Sequence, residues 1–226
     1  KNKLNKVFRW GYRHFFTPML IKNQIPVIRT QDDPYVEKCL GLPLAQAPWI
    51  SVGSDTMLFH PDGDAKRVFR AKYEIPENSF VILYAGKLDE AKGGMLLAEA
   101  VLEKIDVNRD VTFMIVGTTS GTYGAQIEEK IAASKNRVLR FPTQKYSDLA
   151  QFYQAADLAV FPKQCSLSFY DVQACGLPVV LENNNINHDR TQHGNGFTFE
   201  PGNIEDFRKQ MAVVAVMGEK DYHAMC

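Results

Sequence analysis

Short apolar runs alternate with amphipathic segments along the chain from residue 80 onward. Residues 80–85 (FVILYA) and 111–116 (VTFMIV) are continuously apolar, which is typical of strands buried on both faces of a sheet. Shorter runs predict further strands at 138–141, 158–161, 179–181 and 197–199. Apolar residues at helical spacing predict intervening helices at 95–105, 126–133, 147–155 with Ser147 as N-cap, 171–175 and 204–216.

This alternation predicts an α/β fold in which crossover helices join five or six parallel strands. Right-handed crossovers would give a doubly wound, Rossmann-like parallel sheet, whose ligand site lies at the carboxyl ends of the strands. Residues 1–55 stand outside the repeat, with strands predicted at 25–28 and 49–52 around a helix at 33–39. We therefore predict two parts, a remnant of a preceding domain at 1–55 and a main domain at 56–226, in an excised piece of a longer protein.

Composition narrows the class of protein. With 226 residues, 45% of them hydrophobic and 23% charged, the chain is globular and not disordered. Twenty-six basic residues balance twenty-six acidic ones, so net charge does not favour a nucleic-acid partner. Four cysteines at 39, 165, 175 and 226 are too widely spaced for a metal knuckle, which indicates reduced thiols and a cytoplasmic location. The apolar runs are shorter than the roughly 20 residues of a membrane-spanning helix.

Candidate chemistry begins in residues 85–94 (AGKLDEAKGG), between a predicted strand and a predicted helix. Gly86 allows a ligand to approach the backbone, and Lys87 and Lys92 add two cations beside the amides that begin the helix. This chemistry suits a diphosphate, although two solvated surface lysines explain the pattern equally well. The segment is neither a Walker loop nor a dinucleotide-binding glycine motif. A second glycine-rich stretch, 117–124, contains no lysine and is interpreted as a flexible loop.

Residues 161–180 (FPKQCSLSFYDVQACGLPVV) resemble the Glu-x7-Glu segment of family 4 (group 1) retaining glycosyltransferases, which have the GT-B fold. Other landmarks follow in the family's order. Residues 53–61 resemble its hinge, 86–93 its Gly-Arg-Leu...Lys-Gly loop, and 195–197 its late Asn-Gly turn. The resemblance covers about residues 50 to 217 and assigns 56–226 to the C-terminal, donor-nucleotide-binding domain. Residues 1–55 would then be a remnant of the acceptor domain.

The resemblance implies roles for individual residues. Lys87 and Lys92 would neutralise the diphosphate leaving group, and Asp171 would bind the ribose hydroxyls. The remaining implied donor-binding residues are Gly86, the loop amides around Ser166, Leu167 and Ser168, and the base-flanking pair Phe141 and Pro142. Neither a metal nor a cofactor is implied, because lysine charge replaces that of a metal.

Four residues depart from the family pattern. Lys87 replaces Arg, Ser166 replaces a loop glycine, and Asp171 is one methylene shorter than Glu. Lys163 stands in the place of the first Glu, where a cation cannot accept hydrogen bonds from sugar hydroxyls. Two interpretations stay open for Lys163: it binds an anionic group on the donor sugar, or it points to water.

Residues 1–22 interleave basic and aromatic side chains. Such a helix suits an anionic membrane surface, and an interdomain helix that packs its aromatics is an equally good interpretation.

The sequence thus predicts a cytoplasmic glycosyltransferase, located at the inner face of the membrane if the first helix binds there. It would move a sugar from a nucleoside-diphosphate sugar to a glycan or lipid-linked acceptor in cell-surface polysaccharide synthesis. Two alternatives are a GT-B-fold sugar-nucleotide epimerase and a degenerate, non-catalytic subunit. We expect the isolated fragment to be inactive, because its acceptor half is mostly absent.

Overall fold

The computed structural model describes residues 3–30, 34–163 and 166–226, which divide into two compact units at 1–53 and 54–226. The division falls two residues before the boundary predicted from the sequence. In the described ranges, no helix is both long and apolar enough to cross a lipid bilayer.

The first unit consists of short helices. Its helical segments are α1 (Lys3–Gly11), a π-helical turn (Tyr12–Phe16), α2 (Thr17–Lys22), α3 (Tyr35–Leu40) and a 3-10 turn (Leu44–Gln46). The Thr17 hydroxyl donates to the Leu40 carbonyl at 2.7 Å and so connects α2 to the end of α3. The strands predicted at 25–28 and 49–52 are wrong, since Arg29 and Trp49 form only an isolated bridge. Pro26 and Pro48 lack the amide donors that a ladder needs.

The second unit is built on a six-stranded sheet in the order β3-β2-β1-β4-β5-β6, and every pairing in it is parallel. The strands are β1 (Phe80–Ala85), β2 (Val111–Val116), β3 (Arg137–Phe141), β4 (Leu158–Phe161), β5 (Val179–Glu182) and β6 (Gly196–Phe199). The predicted α/β class and parallel sheet are confirmed. The predicted strands agree with these bounds to within one residue at each end.

Helices cover both faces of this sheet. They are α4 (Gly63–Lys72), α5 (Gly94–Leu102), α6 (Gly121–Ala132), α7 (Leu149–Ala155), α8 (Ser168–Ala174), α9 (Asn185–Thr191), α10 (Ile204–Ala215) and α11 (Glu219–Met225), with a 3-10 turn at Tyr146–Asp148. Alternate residues of β1 enter opposite cores: Ile82 packs with α5 and α10, whereas Leu83 packs with α4, α7 and α8. A strand with two buried faces must be apolar at every position, which explains the unbroken run FVILYA.

Three helix starts differ by more than one residue from the predictions, and one of them is α8, which begins at Ser168, three residues before the predicted start. Helix α7 begins at Leu149, and the Ser147 hydroxyl bonds to the Asp148 carboxylate, so Ser147 is not the N-cap. Helix α6 begins at Gly121, five residues before the predicted start. Glycine has poor intrinsic helix propensity, and Gly121 and Gly124 therefore concealed the first turn in the sequence.

Candidate functional site

The chain reverses its direction of travel across the sheet between β1 and β4. From β1 it proceeds outward to β2 and β3, and it then returns to place β4 on the other side of β1. In doubly wound sheets, ligands bind outside the carboxyl ends of the strands at such a switch point. A cavity of about 450 Å³ lies there. The switch-point pocket, as we call it, is lined by Ala85, Gly86, Lys87, Val116, Gly117, Thr118, Thr143, Gln144, Leu149, Tyr153, Ser166 and Ser168.

Two glycines bring the loops after β1 and β2 into backbone contact under this pocket. Gly117 has φ of +143°, and a Cβ atom at this position would lie 1.8 Å from the Gly86 carbonyl oxygen. The Leu88 amide donates to the Thr118 carbonyl at 3.0 Å and fixes the same pair of loops. A side chain at 117 would force these loops apart, which is why glycine is required here.

The loop after β1 presents Lys87 to the pocket. Its Nζ lies 3.7 Å from a carboxylate oxygen of Asp89, and its carbonyl accepts a hydrogen bond from the Tyr84 hydroxyl at 2.7 Å. The other Asp89 oxygen accepts from the Lys92 amide at 3.0 Å and holds the turn that leads into α5. Lys92 is half-buried and lies outside the residues that line the pocket. Of the two predicted diphosphate ligands, only Lys87 is in the pocket wall.

Lys163 connects the loop after β4 to the loop after β1. Its exposed ammonium group donates to the Glu90 carbonyl at 3.3 Å. A Cβ at Gly93 would lie 3.0 Å from Lys163 Cβ and 3.1 Å from Pro162 Cβ, so the two loops touch at Gly93. Lys163 is therefore exposed to solvent, and it also restrains the loop after β1, which carries Lys87 and Lys92.

The beginning of α8 forms another wall of the pocket. The Ser166 and Ser168 hydroxyls bond to each other, and both residues line the cavity. Leu167 lies between them but is 63% exposed and is outside the lining set. Cys165, one of the four cysteines, lies outside the described residues.

Asp171 follows one helical turn later on α8 and is only 6% exposed. One of its carboxylate oxygens accepts from the Ser54 hydroxyl at 2.7 Å and from the Tyr146 hydroxyl at 3.2 Å. Within the described ranges, the side-chain partners of Asp171 are these hydroxyls, and no cation pairs with it. Burying a carboxylate without a cation costs free energy, which makes Asp171 a candidate for ligand binding. Asp171 lies just behind the pocket wall, not in its lining.

Phe141 and Pro142, which were predicted to flank the base, are not among the residues that line the switch-point pocket. The Phe141 ring packs against Phe69 and Phe152, with ring centroids 6.3 and 5.0 Å away, in the core beneath α4 and α7. Phe141 and Pro142 both line a second, more open depression beside the loop after β2, which shares Gly117 and Thr118 with the switch-point pocket. The residues that approach the pocket at this end are Thr143 and Gln144, which follow directly. A flanking role for Phe141 and Pro142 stays a prediction.

An ion pair connects β3, at the edge of the sheet, to α6. Arg140 on β3 contacts both carboxylate oxygens of Glu128 on α6, at 2.8 and 3.2 Å, and the Thr119 hydroxyl donates to the same carboxylate at 2.9 Å. The hydrogen bond from Arg140 is the main reason that the pKa of Glu128 lies below its ordinary value. This contact restrains the glycine-rich loop after β2, of which Gly117 and Thr118 line the pocket. The sequence interpretation of 117–124 as a loop without a binding role therefore missed part of the site.

Sequence reasoning also missed Thr143, Gln144 and Tyr153. A usable signal existed for the first two, since they follow β3 as Gly86 follows β1. Tyr153 gave no such signal, because it lies on a helix among apolar residues and resembles an ordinary core position. In the described parts of the chain, no group of three His, Cys, Asp or Glu side chains could hold a metal ion.

Comparison with known proteins adds to this geometry. Residues 79–215 match the family model described as "Glycosyl transferases group 1". The D-inositol 3-phosphate glycosyltransferase 1 of Catenulispora acidiphila is 32% identical over 140 residues, which cover 57% of this chain and 33% of that protein. The enzyme named D-inositol 3-phosphate glycosyltransferase in Xylanimonas cellulosilytica is 31% identical over 151 residues, or 62% of this chain and 36% of that protein. The chain thus spans about a third of the length of these curated relatives.

Solved structures show the same fold. A glycosyltransferase from Rickettsia africae superposes with a TM-score of 0.78 at 19% identity, covering 97% of this chain and 59% of that one. HepE from Anabaena, solved in complex with UDP and glucose, superposes with a TM-score of 0.74 at 19% identity, covering 96% and 60%. At this identity the likeness establishes the fold, and it agrees with the predicted GT-B type. Because the family model covers more than half of its residues, the chain belongs to the group 1 glycosyl transferases.

Proposed function

We propose that this chain binds a nucleoside-diphosphate sugar in the switch-point pocket. In the protein to which the chain belongs, the sugar is then transferred to an acceptor. The observation that carries the proposal is the position of the pocket, at the carboxyl ends of β1 to β4, with Lys87 in its wall and the buried Asp171 just behind it. Family membership supports the choice of reaction, and the glycosyltransferase names of the curated relatives favour transfer over epimerisation.

The pocket offers a different chemistry to each part of the donor. Lys87 and, nearby, Lys92 supply positive charge for the diphosphate, and the Ser166–Ser168 segment supplies hydroxyls and amides. Ser54 and Tyr146 both donate to one carboxylate oxygen of Asp171, and the other oxygen is the acceptor that we assign to the ribose hydroxyls. Thr143 and Gln144 approach the opposite end, where the base would lie.

The reaction is the one that the family resemblance implies. The bond between the anomeric carbon and the diphosphate oxygen breaks, and the acceptor hydroxyl oxygen bonds to the same carbon. The proton of that hydroxyl passes to an oxygen of the leaving diphosphate, on the face that the diphosphate leaves, so the configuration is retained. Lysine charge stabilises the departing diphosphate without a metal, and the remaining task of the protein is to position the two substrates.

The acceptor and the location belong to the proposal as well. A glycan or lipid-linked acceptor in polysaccharide synthesis suits a protein that works in the cytoplasm against the membrane. Residues 3–22 support that location, because they contain five lysines and arginines, no acidic residue and several exposed aromatic rings. The inositol phosphate acceptor named for the relatives is not carried over, since the match covers about a third of each relative and we assign the matched segment to donor binding.

Isothermal titration of this chain with UDP, GDP and ADP tests the proposed site. We expect at least one nucleotide to bind. Because a hydrogen bond to a charged group contributes about 1.5–3 kcal/mol, Lys87→Ala and Asp171→Asn should each raise its Kd by about tenfold or more. Lys92→Ala should give a smaller increase, since Lys92 lies outside the pocket wall.

The matched control is Lys130→Ala, which removes a lysine whose ammonium pairs with Glu99 on the helical surface at 3.4 Å. This variant should keep the wild-type Kd. Equal binding by Lys87→Ala, Asp171→Asn and Lys130→Ala would contradict the assigned site, and failure of all three nucleotides to bind the wild type would contradict the proposed function.

A further inference from the structure

Tyr153 is the buried polar residue of the pocket wall that the proposed chemistry does not use. It lies on α7, and its side chain is 0% exposed. Its hydroxyl lies near the Ser168 side chain, but it makes no hydrogen bond of standard length and angle to any group in residues 3–30, 34–163 or 166–226. A buried hydroxyl that loses water without gaining a partner costs free energy, so such a group calls for an explanation.

The other tyrosines that are mostly enclosed in this unit are satisfied. The Tyr84 hydroxyl donates to the Lys87 carbonyl at 2.7 Å, and the Tyr222 hydroxyl donates to the Asp157 carbonyl at 2.7 Å. Tyr153 differs from both in one further respect: it lines the switch-point pocket next to Ser168. Tyr153 thus combines an unsatisfied hydroxyl with a place in the pocket wall, where a ligand would supply an acceptor.

The surroundings of Tyr153 fix its ring and its protonation. Its ring packs against Phe59, with centroids 5.6 Å apart, and α7 packs on α4 and β1. Burial, followed by the charge of Asp171, raises the pKa of the phenol well above its ordinary value, while Ser168 opposes this effect. Tyr153 therefore remains a neutral hydrogen-bond donor near Asp171 and Ser168.

We propose that the Tyr153 hydroxyl is a further donor-binding group, which gives its hydrogen bond to an oxygen of the bound nucleoside diphosphate where ribose and phosphate join. The position between Asp171, assigned to the ribose, and Ser168, assigned to the phosphates, selects this part of the ligand. The inference rests on the proposed function, because it requires a nucleotide in the switch-point pocket.

Tyr153→Phe tests the inference because it removes only the hydroxyl. Two quantities are measured on the whole chain: the unfolding temperature without nucleotide, and the Kd for UDP, GDP and ADP by isothermal titration. We expect the unfolding temperature to stay the same or rise, since an unsatisfied buried group is lost, while the Kd rises about tenfold. The matched control is Tyr222→Phe, which removes a satisfied hydroxyl far from the pocket. It should lower the unfolding temperature and leave the Kd unchanged.

Opposite behaviour overturns the inference. If Tyr153→Phe keeps the wild-type Kd and lowers the unfolding temperature, the hydroxyl is structural, and the proposed function survives without it. If the wild type binds none of the three nucleotides, both proposals fail together. Titration with uridine separates the two candidate acceptors. A Kd increase with uridine and UDP alike identifies a ribose oxygen, an increase with UDP alone identifies a phosphate oxygen, and either result supports the inference.

Discussion

Gly117 shows how one residue determines the shape of the pocket. Its φ of +143° is rarely accessible to other residues, and the Gly86 carbonyl occupies the place of a Cβ atom. We expect Gly117→Ala to destabilise the fold by about 1–3 kcal/mol through backbone strain alone, and to weaken nucleotide binding because the loops after β1 and β2 must separate. Denaturant unfolding and nucleotide titration measure the two effects.

The control for this substitution is Gly63→Ala. Gly63 begins α4 and has nothing within 4 Å of the position where a Cβ would lie. Alanine has the higher helix propensity, so this variant should be as stable as the wild type or slightly more stable. If Gly117→Ala behaves like Gly63→Ala, the close approach of the two loops does not constrain the pocket.

Helix α4 depends on one buried ionic group for its attachment to the sheet. Arg70 donates to the Asp157 carboxylate at 2.7 Å and to the Ala155 carbonyl at 3.0 Å, and the same carboxylate accepts from the Val81 amide at 2.7 Å and from Lys66 at 2.6 Å. This network joins α4, the end of α7 and the amino ends of β1 and β4. It lies at the pole of the sheet opposite the pocket.

We expect Arg70→Ala to lower the free energy of unfolding by about 3 kcal/mol, because Asp157 then stays buried with Lys66 as its remaining cation. Nucleotide affinity should not change, since the pocket is at the other end of the strands. Denaturant unfolding gives the first quantity and titration the second. Arg67→Ala, which breaks an exposed pair with Asp64 on the same helix, should alter stability by less than about 0.5 kcal/mol. Equal losses in the two variants would contradict this account of Arg70.

The elements of the second unit could be predicted because their cause is local. A strand buried on two faces must be apolar throughout, and β1 and β2 were located to the residue from that property. Helix starts depend on caps and glycines, and the starts of α6, α7 and α8 were misplaced. In the first unit, apolar residues near Pro26 and Pro48 led to the prediction of two strands, but the backbone there forms only an isolated bridge.

At the scale of the whole molecule, the sequence located the loops of the site better than the contacts within it. Spacing placed Gly86 and Lys87 after a strand, and both line the pocket. The hydroxyl that approaches Asp171 most closely belongs to Ser54, 117 residues earlier in the chain, and no local pattern encodes that contact. The unpaired hydroxyl of Tyr153 likewise follows from three-dimensional packing, because the sequence does not show which buried polar groups lack partners.

Residues 3–22 are the segment through which we expect the protein to bind a membrane surface. The aromatic rings of Phe8, Trp10, Phe15 and Phe16 are exposed, and the basic residues have no acidic neighbour within this stretch. Each basic residue near an anionic bilayer contributes about 1 kcal/mol of attraction, which salt screens.

We expect the chain to co-sediment with vesicles containing phosphatidylserine at low salt, to release them at high salt and not to bind phosphatidylcholine vesicles. The double variant Phe8→Ser/Trp10→Ser should lose most of this binding, whereas Lys130→Ala should retain it. Equal binding to both kinds of vesicle would contradict the attraction between the basic residues and anionic lipid. Binding to neither would favour a helix that packs its aromatic rings against protein.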